Sequence, residues 1–132
     1  MEYAVSYIAS LVLFLLIDLI WIKSVMRPIF ERHVGTIMLE QPRMGAALAF
    51  FVLYLAGLTI FAVVPAVDDG TWQTAALYGG LLGVIAYGTY ETTNFSTLKG
   101  WTMQMLVIDI VWGAFLSSCV AVVGFFVFGW VA

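Results

Sequence analysis

Four long apolar segments constrain this chain more than any other feature of its sequence. They lie at about residues 3–22, 44–64, 73–90 and 101–131, and a transmembrane helix needs about 20 mostly apolar residues. The whole chain is 64% hydrophobic and 10% charged, whereas a soluble domain is about half apolar and about a quarter charged. We therefore predict an all-α integral membrane protein, a bundle of four transmembrane helices that forms one membrane domain over residues 1–132.

The basic residues predict how this bundle is oriented. All five lie in the predicted loops 23–43 and 91–100, and neither terminus nor the "PAVDDGT" loop carries one. Because positive residues stay on the cytoplasmic side, we predict both termini outside, in the periplasm, and these two loops inside. In the first loop, Pro28 and the spacing of apolar residues in "PIFERHVGTIM" predict a short amphipathic cytoplasmic helix on the membrane surface. A polar connector is the alternative.

Three carboxylates are predicted at one depth, in the cytoplasmic half of the membrane. Asp18 comes late in the first segment, Glu91 ends the third, and Asp109 comes early in the fourth. Helical periodicity places each aspartate on the more polar face of its helix, and that face should look inward because a carboxylate in lipid is costly. We predict an acidic and aromatic pocket open to the cytoplasm. Its predicted ligand-binding residues are Asp18, Trp21, Tyr87, Tyr90, Glu91, Asn94, Asp109 and Trp112.

The two aspartates share a local pattern, since "LLIDLIW" and "LVIDIVW" each place a tryptophan three residues after the acid. A simple inverted repeat would put the aspartates in opposite leaflets, which the predicted orientation does not. We therefore predict one shared pocket, in which Trp21 and Trp112 bracket the two acids from either side.

The sequence lacks the residues that several kinds of metal and cofactor sites require. The only histidine, His33, is in a predicted loop, so no segment offers a haem ligand, and there is no Cys/His cluster for zinc. The carboxylates could hold Mg²⁺ or Ca²⁺, although their spacing does not demand it. We predict no cofactor, no metal and no nucleic-acid partner. A purely structural alternative is that the acids are hydrogen-bonded contacts between helices.

Three classes of function fit these residues. The leading hypothesis is binding or transport of a cation, a polar small molecule or a lipid head group, with Asp18 and Asp109 as charge partners. The residues favour a non-enzymatic role but leave an enzymatic one open. The second is an accessory subunit of a larger membrane complex or lipid-modifying system, and the third is a proton-coupled small multidrug exporter. Gly79 and Gly83 form a G-x-x-x-G pair, which predicts close helix packing within the bundle or in a homo-oligomer or larger complex.

Taken together, the motifs resemble those of a known family. The chain has D-x-x-W late in the first segment, Arg27 before a G-x-[IL]-M loop, Y-x-x-Y-[DE]-x-T-N at the end of the third segment, and D-x-x-W-G in the fourth. This combination resembles the bacterial domain-of-unknown-function family 2177 of small predicted membrane proteins, over nearly the whole chain. The resemblance implies four spans in the bacterial inner (cytoplasmic) membrane and no activity. Glu91 stands where the family usually has aspartate. The matching residues are Asp18, Trp21, Tyr87, Tyr90, Glu91, Thr93, Asn94, Asp109, Trp112 and Gly113.

Overall fold

The computed structural model describes residues 1–39, 41 and 43–132, and almost all of them are helical. The predicted all-α class is therefore confirmed. A π-helical turn joins the first helix to the second, and another joins the third to the fourth. The helices are α1 (Glu2–Trp21), α2 (Arg27–Val34), α3 (Met44–Leu58), α4 (Val64–Asp69), α5 (Trp72–Thr97) and α6 (Met103–Val131), with the π turns at Ile22–Met26 and Thr59–Val63 and a 3₁₀ turn at Gly35–Ile37.

Three helical runs in the described part of the chain are long and apolar enough to cross a membrane. They are Glu2–Ile37, Met44–Asp69 and Met103–Val131, and they imply a lipid bilayer as the environment of the protein. The predicted third span corresponds to α5, which has 26 residues but is less apolar because glycine, threonine and tyrosine recur along it. Its role as a fourth span remains a prediction.

Both of the first two helical runs continue past the ends of the predicted spans. The first does not stop near residue 22 but continues through a π turn into α2, so the helix predicted within the loop is an extension of α1. The second continues past Pro65, again after a π turn. Pro28 and Pro65 each lie in the first turn after a π turn. Proline lacks an N–H donor and clashes with the preceding turn, and the wider π turn accommodates both effects.

The tightest helix pair is α5 against α6, and small residues allow it. A Cβ atom on Gly83 would lie 2.4 Å from the carbonyl oxygen of Gly113, and one on Gly79 would lie 2.7 Å from the Ala121 Cβ. The two backbones could not approach this closely with larger residues. Because α6 occupies the Gly79/Gly83 face, this face is not available as the predicted contact with another subunit.

Helix α1 runs antiparallel to α6, which places both termini at one end of the bundle. The Ser6 hydroxyl donates to the Gly124 carbonyl over 2.7 Å, and the Tyr3 and Phe128 rings are 4.5 Å apart. The end of α1 therefore meets the start of α6 at the opposite end. The candidate site lies there, next to a core that includes Phe14, Leu55, Leu58 and Leu116.

Candidate functional site

Asp18 ends the buried stripe of α1. Ser6, Ser10, Phe14 and Asp18 are four residues apart and all buried, as the helical period requires for one inward face. The Asp18 side chain is only 3% exposed. Its Oδ1 atom accepts hydrogen bonds from the Tyr87 hydroxyl (3.3 Å) and from the Trp112 indole N–H (3.1 Å). Asp18 thus connects α1 to both α5 and α6.

The two tryptophans contact each other instead of bracketing the acids. The rings of Trp21 and Trp112 stack with centroids 4.2 Å apart and planes 6° from parallel, so the predicted bracketing was wrong. Trp112 donates to Asp18, while the Trp21 N–H lies within hydrogen-bonding reach of Asp109, although not in good hydrogen-bond geometry. Each indole therefore faces the aspartate of the other helix. The antiparallel alignment causes this exchange, because it brings the two D-x-x-W segments side by side in opposite directions.

Asp109 and Glu91 form a pair of carboxyl groups within hydrogen-bonding reach of each other. Asp109 is 7% exposed, and Glu91 is fully buried. The Oε1 atom of Glu91 accepts a hydrogen bond from the Trp101 indole N–H over 2.9 Å. Its Oε2 atom accepts none from any donor in the described residues. The pair therefore connects the end of α5 to the start of α6.

Trp101 is a site residue that the sequence analysis did not include. The Gly100 backbone packs against α2, because a Cβ atom added to Gly100 would lie 2.4 Å from the His33 carbonyl oxygen. The Trp101 ring lies between Phe30, at 5.0 Å, and Tyr90, at 5.9 Å, measured between centroids. This packing directs the indole N–H at Glu91. A tryptophan just before a membrane helix ordinarily indicates an interfacial anchor, so its position alone did not indicate a partner for the acid.

A cleft of about 620 Å³ opens beside these acids, between α3, α5 and the end of α1. Asp18 and Asp109 contribute its carboxylates, and Tyr87 and Tyr90 also line it. The rest of the wall is apolar except for one threonine. These other lining residues are Ile22, Met26, Phe30, Ala46, Ala47, Phe50, Phe51, Ala86 and Thr89.

The other four predicted site residues lie outside the cleft. Glu91 is buried behind Asp109, and Asn94 is half-buried one turn beyond Tyr90. Trp21 and Trp112 line a separate shallow groove with apolar residues of α6. In the described part of the chain, no three His, Cys, Asp or Glu side chains are grouped as a metal site would need. The three acids therefore do not converge on one point.

In the part of the chain that the structure describes, the side chains that contact the acids are neutral donors and not basic groups. Over residues 1–39, 41 and 43–132, the ion pairs are Arg27 with Glu31 and the N-terminal amine with Glu2. Indole and phenol groups supply the hydrogen bonds to Asp18 and Glu91 instead. The ion pairs of the described residues thus supply no positive charge to the three acids.

We expect Trp101→Phe to lower the free energy of unfolding by about 1–2 kcal/mol, because a fully buried carboxyl group loses a hydrogen-bond donor. The phenyl ring would keep much of the packing against Phe30. Chemical denaturation of the purified protein in detergent measures the change. Trp130→Phe is the matched control, since Trp130 is 79% exposed and its replacement should have little effect. Equal losses in the two variants would contradict the importance of the bond to Glu91.

Comparison with known proteins gives a family and no activity. A family model described as "Predicted membrane protein (DUF2177)" matches residues 3–126, which confirms the resemblance seen in the motifs. No curated protein and no solved structure matches the chain. The matched range includes all eight predicted site residues.

Proposed function

Because the chain belongs to the DUF2177 family of predicted membrane proteins, whose description names no reaction, we infer its function from the site itself. We propose that the protein binds an amphiphilic cation, a molecule with a positively charged head and an apolar body. The head would lie at Asp18 and Asp109, and the body would lie along the apolar wall of the cleft. The observation that carries this proposal is a cleft of about 620 Å³ whose wall is apolar apart from two carboxylates, two tyrosines and a threonine.

We infer the positive charge of the ligand's head group from the two aspartates. Both are at least nine-tenths buried, and no ion pair of the described residues includes them. Burial of an ionised carboxylate is costly unless an opposite charge or several donors compensate for it. A cation in the cleft would supply that charge. Tyr87 and Tyr90 line the same cleft, and their rings can add cation–π contacts to an ammonium group.

We infer the apolar body of the ligand from the other residues that line the cleft. Ligand pockets are typically about 300–1,000 Å³ and mostly apolar, with a few polar groups that fix orientation, and this cleft fits that description. Phe50 and Phe51 line the side of the cleft formed by α3, and Phe50 is 52% exposed. This side borders the surface that lipid would cover. A ligand could therefore enter from the bilayer with its apolar part still surrounded by apolar groups.

We also propose the membrane placement that the sequence predicts, with α5 as a fourth span, both termini in the periplasm and the cleft in the cytoplasmic half of the bacterial inner membrane. Three observations support it. The termini share one end of the bundle, and α5 packs along α6, which is itself apolar enough to span. The basic residues lie in the segments at the other end. They are Lys23, Arg27, Arg32, Arg43 and Lys99.

The two alternative functions are unequally supported. The accessory-subunit hypothesis loses its predicted docking face, since α6 covers Gly79 and Gly83. The exporter hypothesis shares the cation-binding step with our proposal and additionally requires proton exchange. The Glu91–Asp109 pair is a candidate group for that exchange.

We expect Asp18→Asn to weaken binding of octyltrimethylammonium by about 30-fold, since removing one partner of a desolvated charge pair costs at least about 2 kcal/mol. Asparagine can still accept the hydrogen bonds of Tyr87 and Trp112, so the bundle should remain intact. Equilibrium dialysis of the protein in nanodiscs measures the Kd after subtraction of empty nanodiscs. Asp68→Asn makes the same charge change at an exposed residue of α4 and should leave the Kd unchanged.

Three further ligands separate head from body and lipid from solute. Tetramethylammonium has the head alone, and octyl sulfate has the body with the opposite charge, so both should bind weakly. Nanodiscs of phosphatidylcholine and of phosphatidylglycerol then differ in whether the lipid itself has a quaternary ammonium head. Competition by phosphatidylcholine would identify a lipid as the ligand, and its absence would identify a free amphiphile. Octyl sulfate binding as tightly as octyltrimethylammonium, or wild-type affinity in Asp18→Asn, would contradict the proposal.

A further inference from the structure

Behind the cleft lies a carboxyl pair that the proposed binding step does not explain. Asp109 lines the cleft, whereas its neighbour Glu91 does not and is fully buried. The Oε1 atom of Glu91 is bound by the Trp101 N–H, but no donor among the described residues reaches Oε2. A buried carboxyl oxygen without a donor, beside a second carboxyl group, lacks the partner that such atoms nearly always have in proteins.

A shared proton supplies that partner. Two carboxylates in contact and shielded from water cannot both be ionised, whereas one proton between them forms an O–H···O⁻ hydrogen bond. The ion pairs of the described residues include neither acid, so none of them supplies a positive charge instead. Asp18 of α1 and Tyr87 and Tyr90 of α5 line the same cleft as Asp109.

Helix α2 forms no ion pair with either acid among the described residues. Its contacts beside the pair include the Phe30 ring on Trp101 and the His33 carbonyl oxygen at Gly100. Of its charged side chains, Glu31 and Arg32 are exposed, and Arg27 is paired with Glu31.

We propose that a cation entering the cleft displaces this shared proton, so that ligand binding exchanges one positive charge for one proton. The inference rests on the proposed function, because it needs a cation at Asp109. The ligand brings one positive charge, the O–H bond between Glu91 and Asp109 breaks, and the proton leaves to water. The net charge of the site is the same before and after. Asp109 contacts the ligand, and Glu91 is a positioning residue that holds the proton.

The pH dependence of binding tests this exchange. Octyltrimethylammonium is charged at every pH, so any change of its Kd with pH arises from protonation of the protein. We expect the Kd to fall by about tenfold per pH unit over the range in which the free protein holds the proton and the ligand-bound protein does not, as linkage of one proton to one ligand requires. In Glu91→Gln, an amide N–H replaces the shared proton and cannot be released, so this slope should disappear. Glu31→Gln, at an exposed glutamate, should keep the wild-type slope.

Infrared difference spectroscopy of the wild-type protein tests the proton directly and needs no variant. A protonated carboxyl group has its own carbonyl-stretch band, which shifts in deuterium oxide. The band should be present without ligand at neutral pH and should disappear at saturating octyltrimethylammonium.

The outcomes distinguish the two proposals. Absence of the band without ligand, or persistence of the band when dialysis shows bound ligand, overturns proton exchange and leaves cation binding intact. A band together with no ligand binding at any pH overturns the proposed function, and the exchange with it. A pH-independent Kd in the wild type overturns the exchange alone.

Discussion

Replacing Gly83 by alanine is expected to lower the free energy of unfolding by about 3 kcal/mol, the upper part of the range for overpacking a well-packed interior. Replacing glycine by alanine within a helix ordinarily raises the free energy of unfolding, since alanine is better than glycine there by about 0.5–1 kcal/mol. At Gly83 we expect the opposite change. The added Cβ atom would lie 2.4 Å from the Gly113 carbonyl oxygen and 2.8 Å from the Ala114 Cα. Both are backbone atoms of α6, so they can move only if the helix moves.

Gly57→Ala is the matched control for Gly83→Ala. Gly57 lies within α3, and no atom of the described residues outside its own helical turn lies within 4 Å of a Cβ at that position. The ordinary helix propensity should then dominate, and this variant should be slightly more stable than the wild type. Thermal and chemical unfolding in detergent compare the two. Equal stability of Gly83→Ala and Gly57→Ala would mean that α5 and α6 are farther apart than the structure shows.

The inward direction of the aspartates was predictable from the sequence, and their hydrogen-bond partners were not. Helical period alone predicts that Ser6, Ser10, Phe14 and Asp18 share one face, and the structure buries all four. Whether Trp112 reaches Asp18 depends instead on how far α1 slides along α6. That register is determined by tertiary contacts, such as the bond from Ser6 to Gly124, which no local pattern reveals.

The three acids show a second limit of sequence reasoning. Their similar depth predicted one cavity, but depth does not specify the direction in which a side chain points around the bundle. Asp18 and Asp109 reach the cleft, while Glu91 is turned towards Trp101 and α6. Likewise, the Gly79/Gly83 pattern predicted a close helix contact but not its partner. The described structure assigns that contact to α6 of the same chain.

The second large effect is expected at Gly100, the glycine through which the loop before α6 packs against α2. Gly100 has a φ of +85°, and its Cβ would lie 2.4 Å from the His33 carbonyl oxygen. Gly70 has a φ of +72° with open space around it. Alanine in a left-handed conformation costs about 1–2 kcal/mol, so Gly70→Ala should show that cost alone. Gly100→Ala adds a clash with backbone, and we expect a total loss of about 3 kcal/mol.

The difference between these two variants measures the contact between the loop and α2, because the conformational cost is common to both. The Gly100→Ala substitution should also affect the candidate site. Trp101 follows Gly100 directly, so a displaced loop withdraws the indole N–H from Glu91. The tryptophan emission of the protein, to which Trp101 contributes one of five indoles, should then shift towards that of a water-exposed indole. Gly70→Ala should leave the emission unchanged. If both variants lose the same stability and neither changes the fluorescence, the contact with His33 does not hold Trp101 in place. If only Gly100→Ala changes both, the hydrogen bond to the buried acid depends on the packing of this one glycine.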